Sequence, residues 1–281
     1  MSTALQPILA LLGHPVGGNP TQYMLQKALD QCQLDWRYLT LDVVPEDLGD
    51  AVRGMRAMGF AGGNCAEPHK QAVLPHLDRT TDVAALSGVV NVIFRDETGL
   101  VGDNTEGRAL VESLKPQMEL AEKRVVLLGA GRVARAIAVE LAQADVAELV
   151  VVDRTATHAE ELVSLVTGKY EMVASAIPWE DDYALAAETD LLVQATSATD
   201  EDSEATLPIV PSTLVKGLLV ADMAYNPPDT WLLDVARAQG CEVLDGLSIF
   251  IQQMALNFAL WTGMEPDPTV LREAVEEFLE L

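Results

Sequence analysis

The residues best placed to do chemistry lie in the run Arg124 to Leu141, RVVLLGAGRVARAIAVEL. An apolar strand there meets the turn Gly129-Ala130-Gly131 and then a helix rich in alanine. A G-x-G-x-x-A turn between strand and helix lets the backbone approach a pyrophosphate, whose charge the helix N-terminal N–H groups and dipole stabilise. The run Leu149 to Val152 reads as the next buried strand and ends at Asp153, about the interval expected for the residue that meets an adenosine ribose. Gly129, Ala130, Gly131, Arg132, Val133 and Ala134 are thus expected at a dinucleotide, with Asp153, Arg154 and Thr155 at its ribose. Other chemistries find no purchase. His14, His69, His76 and His158 form no metal-ligand pair at helical spacing, and no serine or cysteine nucleophile is set beside one. Each reads as structural or surface, His69 also as lining a site entrance. Cys32, Cys65 and Cys241 are odd in number and never spaced as a metal pair, so they read as reduced thiols, and no metal is expected.

Composition bounds the rest. A chain of 281 residues, 49 % of them apolar, is long enough for two modest domains with buried cores. A net charge of −25, from 43 acidic against 18 basic residues, disfavours nucleic-acid binding, which needs basic surface to neutralise phosphates. No apolar run approaches the ~20 residues of a membrane span, and Ile8 to Leu12 is too short and lacks the basic leader of a signal peptide. A cytoplasmic protein without membrane partners is expected. The acidic runs at 180–182 and 200–204 and in the C-terminal helix read as solvated faces.

The elements that must position these groups alternate. Pro7 to Leu12, Trp36 to Leu41, Phe60 to Asn64 and Val89 to Phe94 read as strands, and helices are expected over 21–34, 45–58 and 68–77, with a turn at Asp96 to Gly99. From Asn104 a helix leads through Lys115-Pro116 into the Arg124 strand. Further strands are expected near 171–174, 190–195, 218–222 and 241–244, with helices over 229–239, 246–261 and from Asp267-Pro268 to the end. The fold class is α/β: a Rossmann-type doubly wound parallel sheet over 105–245, and a smaller α/β substrate domain made of 1–104 with 246–281.

A second set of stretches then falls into order: Asn64-Cys65-Ala66-Glu67-Pro68-His69-Lys70, Val90-Asn91, Gly102-Asp103-Asn104-Thr105-Glu106-Gly107, Gln194-Ala195-Thr196-Ser197, Asp222-Met223-Ala224-Tyr225-Asn226-Pro227, and Asp245-Gly246 with Gln253. Together they resemble the shikimate dehydrogenase family, whose pattern runs N-x-T-x-P-x-K, V-N-T, G-D-N-T-D-G, N-A-T-S and D-x-x-Y-x-P. The resemblance spans nearly the whole chain. It implies reversible NAD(P)-dependent reduction of 3-dehydroshikimate to shikimate, a step of chorismate and aromatic amino acid biosynthesis, by a monomer or homodimer. Quinate or a related hydroxy acid is the alternative substrate, and a dinucleotide-binding paralogue without turnover the alternative function. A methylenetetrahydrofolate dehydrogenase would share the two-domain plan, but the G-D-N-T-E-G and D-M-A-Y-N-P stretches speak for the first family.

By position, Lys70 and Asp103 match that family's catalytic pair. An ammonium within hydrogen-bond reach of the ketone stabilises the charge that develops on oxygen and delivers the proton, while the carboxylate holds the lysine and bonds the substrate hydroxyl. Asn64, Asn91 and Gln253 match substrate-contacting amides, Tyr225 a residue beside the substrate, and Thr196, Met223 and Gly246 positions at the cofactor. The departures are informative. Where the family has G-x-P-[IV]-x-H-S-x-S-P, with two serines on the substrate carboxylate, this chain reads Gly13-His14-Pro15-Val16-Gly17-Gly18-Asn19-Pro20, two residues shorter and without serine. Asn19 stands at the second serine's place, Ala66 at a substrate-contacting threonine, and Glu106 at an aspartate. NADP-using members read N-R-T where this chain has Asp153-Arg154-Thr155, so the resemblance implies NADP while the Asp153 carboxylate leans towards NAD.

Overall fold

The computed structural model describes residues 5–197 and 207–281, so the acidic run 200–204 lies outside the described residues. The chain divides into two compact units, one reaching to Thr105 and resuming over Ile251–Leu281, the other Glu106–Phe250.

The first unit alternates β1 (Ile8–Gly13), α1 (Thr21–Gln31), β2 (Arg37–Asp42), α2 (Leu48–Met58), β3 (Gly62–Cys65), α3 (His69–Ala72), β4 (Arg79–Thr80), α4 (Asp82–Ser87), β5 (Val92–Asp96) and β6 (Gly99–Asp103). The strands form one sheet in the order β2-β1-β3-β5-β6-β4, in which β5 alone runs against both of its neighbours. Strand β1 carries fully buried Leu9, Ala10 and Leu12 through its centre, which is why it reads as a continuous apolar run.

Three readings change here. The helix expected over 68–77 is a single turn, α3, followed by a 3-10 turn at Leu74–His76. Pro75 has no N–H to give to the α-helical ladder, so the helix stops short. The helix expected from Pro45 opens as a 3-10 turn and becomes α-helical at Leu48, ending at Gly59 as expected. Strand β6 follows the turn at Asp96, whose Oδ1 accepts from the Thr98 N–H at 2.7 Å. Two glycines in the five residues of β6 weaken its strand signal.

The second unit runs α5 (Glu106–Leu114), β7 (Arg124–Leu128), α6 (Arg132–Gln143), β8 (Glu148–Asp153), α7 (Ala156–Thr167), β9 (Val173–Pro178), β10 (Leu191–Gln194), β11 (Leu219–Asp222), α8 (Trp231–Ala238) and β12 (Glu242–Leu244). Its sheet, β12-β11-β10-β7-β8-β9, is parallel throughout, the doubly wound order expected from the alternation. Every residue of β10 and β11 is buried, as a sheet covered on both faces requires. The chain closes with α9 (Gly246–Thr262) and α10 (Pro268–Leu279), and the Asp267 carboxylate caps α10 by accepting from the Thr269 N–H at 2.8 Å. Among the described residues no helix is long and apolar enough to cross a membrane, and no cluster of His, Cys, Asp and Glu could hold a metal ion.

Candidate active site

In the first unit, register gathers the named residues at one end of the sheet. Asn64 pairs with Val92 across β3 and β5, and Val92 with Asp103 across β5 and β6, so Asn64, Asn91 and Asp103 occupy neighbouring positions. Backbone bonds tighten the row: the Cys65 N–H donates to the Asn91 carbonyl at 2.9 Å and the Asn91 N–H to the Asp103 carbonyl at 3.1 Å. The Val90 N–H donates to the Lys70 carbonyl at 2.8 Å, which ties α3 to the same edge. The charge of Lys70 acts on Cys65: burial raises that thiol and the lysine partly offsets it, leaving it pushed up to about 12.

Most of the polar capacity here is committed inside the fold. The Tyr38 hydroxyl, held well above its ordinary pKa by burial, donates to Asn64 Oδ1 at 2.7 Å, and Asn64 Nδ2 donates to the Asn91 carbonyl at 3.1 Å. Asn64, which the resemblance matches to a substrate-contacting amide, therefore keeps one N–H. Asn91 Oδ1 accepts from the Thr105 N–H at 2.9 Å and its Nδ2 donates to Thr105 Oγ1 at 3.1 Å. The Thr105 hydroxyl then donates to Asn257 Oδ1 at 2.7 Å, on α9 one turn beyond half-buried Gln253. Asp103, 2 % exposed, accepts on Oδ1 from the Thr81 hydroxyl and from the Asn104 N–H at 2.8 Å.

The loop from Gly13 to Pro20 leaves β1 at this same end. The Ala66 N–H donates to the Leu12 carbonyl at 2.8 Å and the His14 N–H to the Glu67 carbonyl at 3.0 Å. Asn19 turns its Oδ1 back on the Thr21 N–H at 2.9 Å, a local turn just before α1 that leaves both of its N–H groups for a ligand. His69 corrects an expectation: it is fully buried and its Nε2 donates to the Val43 carbonyl at 2.6 Å, so it anchors α3 instead of lining an entrance.

In the second unit, the glycine turn sits where β7 meets α6. Gly129 has φ +101°, a region that disfavours any side chain, and a Cβ there would lie 3.1 Å from the Ala195 carbonyl. A Cβ on Gly131 would meet open space, and α6 begins without a side-chain cap, so Arg132, Val133 and Ala134 start a helix whose N-terminal end suits an anion. Asp153 is bound to this turn: Oδ2 accepts from the Ala130 N–H and Oδ1 from the Thr155 N–H, both at 2.8 Å. A carboxylate has about four acceptor positions, so these two bonds do not exhaust its capacity to accept. Arg132 and Arg154 are exposed beside it, while Arg135 pairs with Glu161 at 3.2 Å. The Gln194 side chain folds onto the Thr196 backbone, accepting from its N–H at 2.7 Å, and the Met223 N–H donates to the Gln194 carbonyl at 3.0 Å. Tyr225 stacks on Phe250 with centroids 4.4 Å apart, and buried Gly246 packs its backbone against the Ala224 carbonyl. The turn is shaped for a dinucleotide phosphate.

Tyr38, Thr81 and Asn257 escaped the sequence reading. Thr81 had a local signal, a threonine three residues before Ala84, whose N–H it caps at 3.3 Å. Asn257 had only its place four residues after Gln253.

With this geometry in view, comparison with known proteins is direct. Residues 11–93 match the model of the shikimate dehydrogenase substrate binding domain, and residues 110–229 that of shikimate / quinate 5-dehydrogenase. A shikimate dehydrogenase (NADP(+)) of Bacillus licheniformis is 37 % identical over 273 residues, 96 % of this chain and 97 % of that protein. The ligand-free 5-ketofructose reductase of Gluconobacter sp. strain CHM43 is 39 % identical, with a TM-score of 0.95 over 98 % of this chain and 99 % of that one. The shikimate 5-dehydrogenase of Listeria monocytogenes, solved with shikimate and NAD, is 28 % identical with a TM-score of 0.90 over 97 % of each chain. Ordered motifs, fold and near-complete coverage agree, and the chain belongs to the shikimate dehydrogenase family.

Proposed function

We propose that this protein is a shikimate dehydrogenase-like oxidoreductase that uses NAD(P) to interconvert a hydroxylated ketone and its alcohol, with 3-dehydroshikimate and shikimate as the first pair to test. The observation that carries this reading is the buried row of Asn64, Asn91 and Asp103 beside the lysine of α3, in a chain whose other unit presents a dinucleotide turn. The bound nicotinamide supplies or accepts the hydride. Lys70 stabilises the oxygen as charge develops on it and delivers the proton to the alkoxide. Asp103, with Oδ1 occupied by Thr81 and Asn104, bonds the substrate hydroxyl and steadies the lysine through its other oxygen. Asn91 offers an N–H to a second hydroxyl. Positioned acid–base groups contribute roughly 10²–10⁴-fold, so Lys70→Ala should lower turnover by that order in an absorbance assay at the nicotinamide band. Wild type and variant giving equal rates on every substrate offered would reject this assignment.

Cofactor choice rests on Asp153. Its charge lies at the ribose position, where a phosphate about 5 Å away would be repelled by ~3 kcal/mol at an effective dielectric of 20. The Bacillus relative is named for NADP and the Listeria structure holds NAD, so the family's relatives leave both cofactors as arms of the test.

A second reading of the substrate has its own support. Gly17 and Gly18 offer no side chain and Ala66 has no hydroxyl, so of the positions that resemble a carboxylate clamp only Asn19, through its N–H groups, offers a side-chain donor. An uncharged polyhydroxylated ketone, of the kind named for the Gluconobacter reductase, needs no clamp. Comparing kcat/KM for 3-dehydroshikimate and 5-ketofructose separates the two. A hydrogen bond to a charged group contributes roughly 1.5–3 kcal/mol, so Gly17→Ser/Asn19→Ser/Ala66→Thr should raise kcat/KM for the carboxylate substrate about tenfold or more. A wild type that prefers 3-dehydroshikimate would defeat this reading and leave the first intact.

A further inference from the structure

We infer that Thr81 is a positioning residue for Asp103, fixing which carboxylate oxygen meets the substrate. The inference rests on the proposed role of Asp103. Thr81 follows β4, which pairs parallel with β6, and its own N–H donates to the Gly102 carbonyl at 2.9 Å, so the backbone holds it beside the residue before Asp103. Its hydroxyl has a single proton, and that proton goes to Asp103 Oδ1. Thr81 Oγ1 in turn accepts from the Ala84 N–H at 3.3 Å, which orients the hydroxyl from behind. The Asn104 N–H donates to the same Oδ1 at 2.8 Å.

Two donors on one oxygen fix the carboxylate plane, because rotation about the Cβ–Cγ bond would break both bonds together. Chemistry at Asp103 is thereby routed through Oδ2. A carboxylate free to rotate would present either oxygen and would misplace the group that orients the lysine. A misplacement of about 1 Å in such a constellation costs on the order of a hundredfold in rate.

The alternative is that Thr81 only caps α4. Substitutions distinguish the two. Thr81→Val keeps the shape and removes the hydroxyl. Thr81→Ser keeps the hydroxyl, and Thr81→Cys keeps the size with a weak donor. Each is assayed for kcat, KM and the primary isotope effect with nicotinamide deuterated at C4, well below its melting temperature. Positioning predicts that Thr81→Val loses about ten- to a hundredfold in kcat, with a larger isotope effect and cofactor KM unchanged. Thr81→Ser should stay within about threefold of wild type, and Thr81→Cys should lie between. If Thr81→Val does not fold, the Cys and Ser pair still decides. Equal kcat for Cys and Ser variants, or a folded Val variant at wild-type kcat, overturns the inference. Asp103→Asn separates this from the parent reading: if it retains wild-type turnover, the role of Asp103 itself fails, whereas an inactive Asp103→Asn beside a fully active Thr81→Val rejects only the role of Thr81.

Discussion

Two glycine-bearing loops, one in each unit, follow a strand and lead into a helix, and they are glycine-bearing for opposite reasons. At Gly129 the backbone takes φ +101° and a Cβ would crowd the Ala195 carbonyl and the Thr196 methyl, each 3.1 Å away, so the fold itself demands glycine. At Gly17 the backbone is ordinary and an added Cβ would touch nothing within 4 Å, so nothing in the fold forbids a serine there. Under the proposed function the first loop holds the dinucleotide through backbone. The second has room for a side chain at Gly17, and under the same proposal it lies where the substrate is selected.

The strongest way to break this contrast is Gly129→Ala. Left-handed backbone costs an alanine about 1–2 kcal/mol, and the new methyl must push the 195–196 segment that lies across the turn. Dissociation constants for NADH and NADPH, read by fluorescence titration, should both rise at least about tenfold while the first unit's near-ultraviolet circular dichroism is kept. Unchanged cofactor affinity would mean that the turn does not hold the dinucleotide.

A smaller effect, on the same loop, comes from Asp153→Asn. The variant removes the charge and keeps one acceptor for the Ala130 or Thr155 N–H, so it probes electrostatics more than architecture. Because Asp153 is partly exposed, solvent screens the repulsion, and the ratio of kcat/KM for NADPH over NADH should rise about tenfold rather than the hundredfold that ~3 kcal/mol implies. A ratio that does not move would place cofactor choice on Arg132 or Arg154 instead.

The two loops also show what a sequence displays and what it conceals. The second unit was readable because each parallel strand is a short continuous apolar run and each connection a helix, and because Gly129 and Asp153 stand at a spacing that physics imposes. The first unit was readable in its first half, where β1, β2 and β3 alternate with helices in the same way. Its reversal at Asp96 and the glycine-bearing β6 broke the pattern, and with β6 went the surroundings of Asp103. The side-chain network was concealed for a different reason: Thr105 and Asn257 are 152 residues apart, and Tyr38 and Asn64 are 26 apart, so only the folded chain brings them together. The resemblance named Asn64 as a substrate contact, and only the structure shows how much of its amide is already occupied.

The finest test compares two neighbours in the second loop. Gly18 has φ +79° with open space around it, whereas Gly17 has the same open space and ordinary backbone. Alanine at position 18 must adopt a left-handed conformation and should lose about 1 kcal/mol. Alanine at position 17 meets no strain and restricts the unfolded chain, which stabilises by roughly 0.4–1 kcal/mol. For a chain of this size 1 kcal/mol moves Tm by about 2 °C, so Gly17→Ala should melt slightly above wild type and Gly18→Ala slightly below it. Neither side chain is one of the groups assigned to the reaction, so turnover with an uncharged ketone should survive both changes. If Gly17→Ala instead destabilises as much as Gly18→Ala, the loop is glycine-bearing because the fold needs it, and the freedom to change that separates it from the turn at Gly129 disappears.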